Sequence, residues 1–302
     1  MALPILVVGT VAFDNVETPF GKVKDALGGS AVYFSYSASK LAPVRLVGAV
    51  GKDFPRKHVT MLKKEKIDAS GLEYVDGSKT FRWSGKFEDD LNEAITLDTQ
   101  LNVLAEFAPK VPEGFKDTPI VFLANLDPDL QLDILSQMKK PKLVLADTMN
   151  LWIDIKLPAL KKLLKKIDVL TINEGEARLL TKELNLAACA KKLLTMGPGR
   201  VIIKRGEYGA TMFTKKDFFA LPAYPLEMIK DPTGAGDTFA GGLVGELARQ
   251  GKFTEKAFRQ ALVRGSVHAS FVVEGFSLDG MKKATPAKRK ARYNDFVRFT
   301  KV

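Results

Sequence analysis

Asp231-Pro232-Thr233-Gly234-Ala235-Gly236-Asp237-Thr238-Phe239 is the stretch on which the reading of this chain turns. Two glycines two residues apart precede an acidic residue, and an apolar, helix-compatible run follows from Phe239 to Leu247. That order describes a tight loop entering a helix N-terminus, where backbone N–H groups are unpaired and the helix dipole is positive. Such a place welcomes an anion. An Asp inside a plain phosphate cradle repels its ligand, but an Asp that takes a proton from a hydroxyl attacking a phosphoryl group belongs there. Spacing alone also fits a simple turn with Asp237 as a local cap.

Outside this loop the chain alternates short apolar, β-branched runs with helical patterns. Strands are expected at 5–9, 44–50, 120–124, 143–146, 169–173 and 201–204. Helical spacing falls at 31–41, 56–65, 130–138, 157–165, 176–182 and 187–194, then at 238–249 and 255–272. Strands apolar throughout and separated by helices predict a mainly parallel sheet covered on both faces, a three-layer α/β/α sandwich. Two segments break the rhythm. Val11–Lys24 has no helical period, and Leu72–Asn102 alternates, with Phe81, Trp83 and Phe87 on one parity and Arg82, Ser84 and Lys86 on the other. The alternation predicts an antiparallel strand with one covered face, in an edge hairpin or in a separate small sheet.

Composition narrows the classes. The N-terminal run Leu3–Gly9 has no basic leader and reads as a buried strand rather than a signal peptide. No apolar stretch approaches the roughly 20 residues of a membrane helix. Cys189 stands alone, and His58 and His268 are the only histidines, so neither a disulfide within the chain nor a histidine-based metal site is expected. These features fit a cytoplasmic protein without a membrane partner. The net charge of +11 raises nucleic acid as a partner. The one local basic cluster, Lys282 to Arg292, carries no interleaved aromatics, so a solvated basic face is expected and nucleic acid is not.

Asp231–Gly242, Asp-Pro-Thr-Gly-Ala-Gly-Asp-Thr-Phe-Ala-Gly-Gly, resembles the C-terminal signature of the ribokinase-like (PfkB) carbohydrate kinases. The resemblance implies Asp237 as catalytic base and Gly234, Ala235 and Gly236 as the anion hole. It spans roughly Ile5 to Phe276 and implies one ribokinase-like domain over 1–302, with a small β-sheet lid from segments near 11–26 and 72–102. Such a lid excludes the water that competes as phosphoryl acceptor.

Other motifs match the family in turn. Gly9-Thr10-Val11-Ala12-Phe13-Asp14 places Asp14 past the first strand, where ligands of open α/β sheets bind. The family pattern gives Asp14 the acceptor's hydroxyls, which a carboxylate can receive in pairs. Gly28-Gly29 matches the family's di-glycine, letting backbone approach a polyol. Where many sugar kinases carry Asn soon afterwards, this chain has Val32-Tyr33-Phe34. Asn173-Glu174-Gly175-Glu176 resembles the Asn-x-x-Glu motif that organises Mg²⁺ around nucleotide phosphates, Glu176 acting through water. By pattern alone it is equally a capping box. Lys204-Arg205-Gly206 resembles the nucleotide-side loop, with Gly206 close to the triphosphate, and also fits a hairpin turn. Thr233 is expected on the nucleotide side as well. Asp231 and Thr233 border a monovalent-cation site in some members, and potassium dependence is left open.

The function so implied is transfer of the ATP γ-phosphate, with Mg²⁺, to a hydroxymethyl group of a small sugar. A nucleoside acceptor is the alternative, because Phe13, Phe81, Trp83 and Tyr33 are candidates for a wall against a base. The same aromatics suit lid packing or a homodimer formed through the lid. A non-catalytic sugar sensor on this fold is the third reading.

Overall fold

The computed structural model describes residues 1–88, 91–92 and 94–301. Positions 89, 90 and 93 of the expected lid segment lie outside them. In chain order the strands are β1 (Ile5–Val8), β2 (Ala12–Thr18), β3 (Gly21–Gly28), β4 (Val44–Gly51), β5 (Ile67–Val75), β6 (Phe81–Phe87) and β7 (Ala94–Gln100). They continue as β8 (Ile120–Leu123), β9 (Leu143–Asp147), β10 (Val169–Asn173), β11 (Arg200–Lys204), β12 (Ala210–Thr214) and β13 (Phe218–Leu221).

Nine of these form one sheet in the order β13-β12-β11-β10-β9-β8-β1-β4-β5. Pairing is parallel from β11 through β5, and β12 and β13 add an antiparallel edge. Alternate residues of β1 divide between two cores. Ile5 and Val7 pack with the helices Ser30–Ala38, Ala235–Gln250 and Glu255–Val272, whereas Leu6 and Val8 pack with Pro128–Gln137, Leu157–Leu164 and Leu186–Thr195. That division is what apolar strands buried on both faces require, and it makes the three-layer sandwich. Each fully buried Leu, Ile or Phe adds about 1.5–3 kcal/mol of apolar transfer, which is why these runs dictate the architecture.

The remaining strands form a four-stranded sheet, β3-β2-β6-β7. Two expectations need correction. Residues 72–75 belong to β5 at the edge of the central sheet, not to the small sheet. An edge strand with one covered face alternates just as a lid strand does, so pattern did not separate them. And β6, expected to be purely antiparallel, runs parallel to β2 and antiparallel only to β7. The chain leaves β1 for β4 on one side and returns to β8 on the other, so the sheet order reverses beside β1. Ligands of open α/β sheets bind at such a reversal, beyond the carboxyl ends of the strands.

Candidate active site

The signature loop folds as its glycines require. Gly234 caps the helix Ala235–Gln250 in the left-handed region (φ 73°) and a Cβ there would stand 2.4 Å from the Tyr33 ring. Ala235 N–H closes the turn onto the Pro232 carbonyl at 3.1 Å. Gly236 and Asp237 follow in the first turn, whose N–H groups have no partner within the helix. Asp237 therefore stands among the N-terminal amides of this helix. Behind it, Ser37 donates to the Thr238 carbonyl at 2.7 Å and pairs with His268 Nδ1 at 2.8 Å. Because the Ser37 proton is used, His268 donates from Nδ1, and burial holds its pKa well below the usual value. The residues Ser266 to Ser270 are mostly buried in this packing.

Three adjacent strands deliver polar groups to the same edge. Asp147 ends β9, Asn173 ends β10 and Lys204 ends β11, with Asn173 opposite Lys204 in register. Lys204 Nζ lies 2.7 Å from Asp147 Oδ2. The Asp237 carboxyl is pushed up to about 7, chiefly by burial and then by Asp147, with Lys204 opposing. Glu176 is likewise raised to about 7 by burial, again with Lys204 opposing. Asn173 and Glu176 form a reciprocal capping box, Asn173 N–H to Glu176 Oε2 at 2.8 Å and Glu176 N–H to Asn173 Oδ1 at 2.7 Å. Sequence reasoning missed Asp147 altogether and quoted Lys204 without a role. The signal was present: each is a polar residue at the carboxyl end of an apolar, buried strand.

On the other side of the cleft, Asp14 of β2 is buried against Gly28 and Gly29. A Cβ on Gly28 would fall 1.8 Å from Asp14 Oδ2, and the nearby Gly29 N–H and Tyr33 hydroxyl favour the ionised carboxylate. The di-glycine thus seats Asp14. Burial pushes Asp14 to about 7, with Gly29 opposing and Asp231 and Asp237 adding to the rise, so these carboxyls lie within electrostatic reach of one another. Asp14 pairs with Trp83 across the β2–β6 ladder, which puts both on one face of the small sheet. The Trp83 ring covers Gly85, where a Cβ would meet it at 2.2 Å. Phe13, by contrast, lies on the opposite face under Arg82 (4.8 Å) and beside Phe54 (5.7 Å). Tyr33 is buried beneath Gly234. Of the four aromatics considered for a base wall, Trp83 and Phe81 share the Asp14 face.

Gly206 opens the hairpin turn between β11 and β12 with φ 53°, Arg205 N–H closing onto the Gly209 carbonyl at 2.8 Å. A Cβ on Gly206 would stand 2.4 Å from Asn92 Oδ1, so Asn92, between β6 and β7, comes up against this loop. Thr233 N–H donates to Asp231 Oδ1 at 2.9 Å, and Asp231 Oδ2 and Thr233 Oγ1 are buried with no hydrogen-bond partner among the described residues. Among those residues no group of three His, Cys, Asp or Glu stands close enough to hold a metal unaided. The hard oxygen of Glu176 still fits Mg²⁺, which keeps most of its waters and takes one or two carboxylates.

Polar groups gathered at the carboxyl ends of three strands, beside a helix N-terminus that carries an acidic side chain, suit phosphoryl transfer. Comparison with known proteins gives the class its place: residues 6–283 match the pfkB family carbohydrate kinases. The chain belongs to that family and is an ATP-dependent kinase. It is 28% identical to a cytidine kinase of Thermococcus kodakarensis, covering 87% of this chain and 94% of that protein. It is 26% identical to a nucleoside kinase of Methanocaldococcus jannaschii over 86% of this chain and 83% of that one. The fold matches a putative ribokinase II of E. coli in complex with ATP and Mg²⁺, with TM-score 0.78 at 19% identity over 98% of this chain and 99% of that one. The sensor reading falls with membership of a kinase family. No helix among the described residues is long and apolar enough to cross a membrane.

Proposed function

We propose that this kinase phosphorylates the hydroxymethyl group of a nucleoside. The observation that carries the acceptor class is the Trp83 ring, laid over Gly85 on the lid face that bears Asp14. An aromatic platform beside a hydroxyl-binding carboxylate suits a ligand with a flat base on one side and a ribose on the other. The naming of two relatives that span most of the chain as cytidine and nucleoside kinases supports the same reading. A free sugar is the second reading, because Asp14 binds vicinal hydroxyls in either case.

In the proposed step the acceptor oxygen bonds to the γ-phosphorus of ATP while the bond from that phosphorus to the bridging oxygen of ADP breaks. Asp237 takes the hydroxyl proton, ADP leaves, and the amides at Gly234, Ala235 and Gly236 hold the charge on the phosphoryl oxygens. Ala235 N–H must leave Pro232 to contribute, a small turn adjustment. Gly206 and Thr233 border the nucleotide. Glu176, with Asn173, would hold Mg²⁺ through water, and the bound ion would neutralise phosphate charge. The orphaned oxygens of Asp231 and Thr233 are donors of the kind a monovalent cation takes. Two copies pair through the exposed lid strand β7, and the single buried Cys189 suits work in the cytoplasm. ADP release over a panel of nucleosides and free sugars tests the acceptor class.

A further inference from the structure

Lys204 occupies a position that the base and anion hole do not explain. Its Nζ is tethered to Asp147 Oδ2 at 2.7 Å, and a Cβ on Gly236 would come within 3.1 Å of it. Asp147 is itself fixed, its Oδ1 accepting from Thr148 N–H at 2.9 Å and its carbonyl from Gln131 Nε2 at 3.1 Å. The Lys204 side chain keeps 18% of its surface accessible, against 5% for Asp147, so the lysine is the more accessible member of the pair. An ammonium carries three donors, and the contact among the described residues uses one. A buried ion pair kept for stability alone is a poor device, since an apolar pair of equal volume does as well or better. One placed against the amide-bearing turn of a phosphoryl site has a chemical use.

Resting on the kinase reading of this site, we propose that Lys204 is a catalytic residue whose ammonium donates to a non-bridging oxygen of the transferring phosphoryl group. Asp147 is its positioning residue. The oxygen sits between Gly236 N–H and Lys204 Nζ. Lys204 stays protonated while the acceptor–phosphorus bond forms, the bond to ADP breaks, and the acceptor proton passes to Asp237. A fixed cation there stabilises charge that water would otherwise have to reorganise around.

The test compares binding of Mg·ADP with Mg·AMP-PNP, read calorimetrically, in the wild type and in Lys204→Met. The triphosphate analogue carries the γ-phosphate that the lysine is assigned, and the diphosphate does not. The expected result is that the preference for AMP-PNP over ADP shrinks by roughly tenfold or more while ADP affinity holds, as for loss of a charge-assisted hydrogen bond. Turnover falls by roughly 10²–10³-fold. If Lys204→Met fails to fold because Asp147, Glu176 and Asp237 lose their countercharge, Lys204→Met with Asp147→Asn carries the same comparison. A preference unchanged from wild type, or equal loss of both nucleotides in a folded variant, overturns the assignment. A wild type that phosphorylates no nucleoside or sugar, yet shows a triphosphate preference lost in the variant, sinks the acceptor reading and leaves Lys204 in place. A wild type that binds neither nucleotide overturns both.

Discussion

Asp237 is held where both burial and the Asp147 carboxylate resist its ionisation, and Lys204 offsets part of that resistance. A base with a pKa of about 7 is matched to proton abstraction near neutrality. The acid limb of kcat/KM should therefore fall near pH 7. The same shift has a stability cost. A carboxyl raised above its unfolded value stabilises the fold below the unfolded pKa, and that contribution is lost as pH rises through the folded pKa. Between about pH 4 and pH 7 the nucleotide-free wild type should lose stability that Asp237→Asn keeps. At pH 8 the variant should melt about 2 °C or more above wild type. An equal difference at pH 5 and pH 8 would contradict the shift. Asp237 was legible because glycines announced its loop. Asp147 was not: the expected strand stopped at Ala146, and a single Asp after an apolar run looks like any turn residue until Lys204 from β11 is seen to meet it.

At the scale of elements, the central strands were legible because burial on both faces leaves a continuous apolar run, which β1, β8 and β9 keep. The small sheet was legible as an interruption but not as a topology. Its parallel β2–β6 pairing joins residues about seventy positions apart, and local alternation contains no information about such a partner. Nor does pattern show that Trp83 and Asp14 share a face while Phe13 does not. That placement makes a prediction about the lid. Trp83→Ala should raise KM for a nucleoside by roughly 5- to 100-fold, the range for lost base stacking, with little change for a free pentose. Gly85→Val, which displaces the ring, should act in the same direction. Equal effects on nucleoside and pentose would assign Trp83 to lid packing.

For the whole molecule, part of the C-terminal basic cluster is internally spent: Arg292 pairs with Glu274 at 3.1 Å and stacks on Phe271 at 3.6 Å. The small sheet leaves β7 paired only to β6 among the described residues, with Ile95 and Leu97 47% and 60% exposed. An open edge strand with apolar residues seeks a partner. Light scattering should give about twice the 33.2 kDa chain mass, and Ile95→Lys with Leu97→Lys should return it to one chain. A monomeric wild type would remove the lid dimer without touching the site. The central claim is tested most directly by ADP release from Mg·ATP over nucleosides and free sugars, with Asp237→Asn run beside the wild type. The prediction is turnover with a nucleoside, lowered by roughly 10²–10⁴-fold in the variant, whose nucleotide and acceptor binding survive. Unchanged turnover in Asp237→Asn would contradict the account.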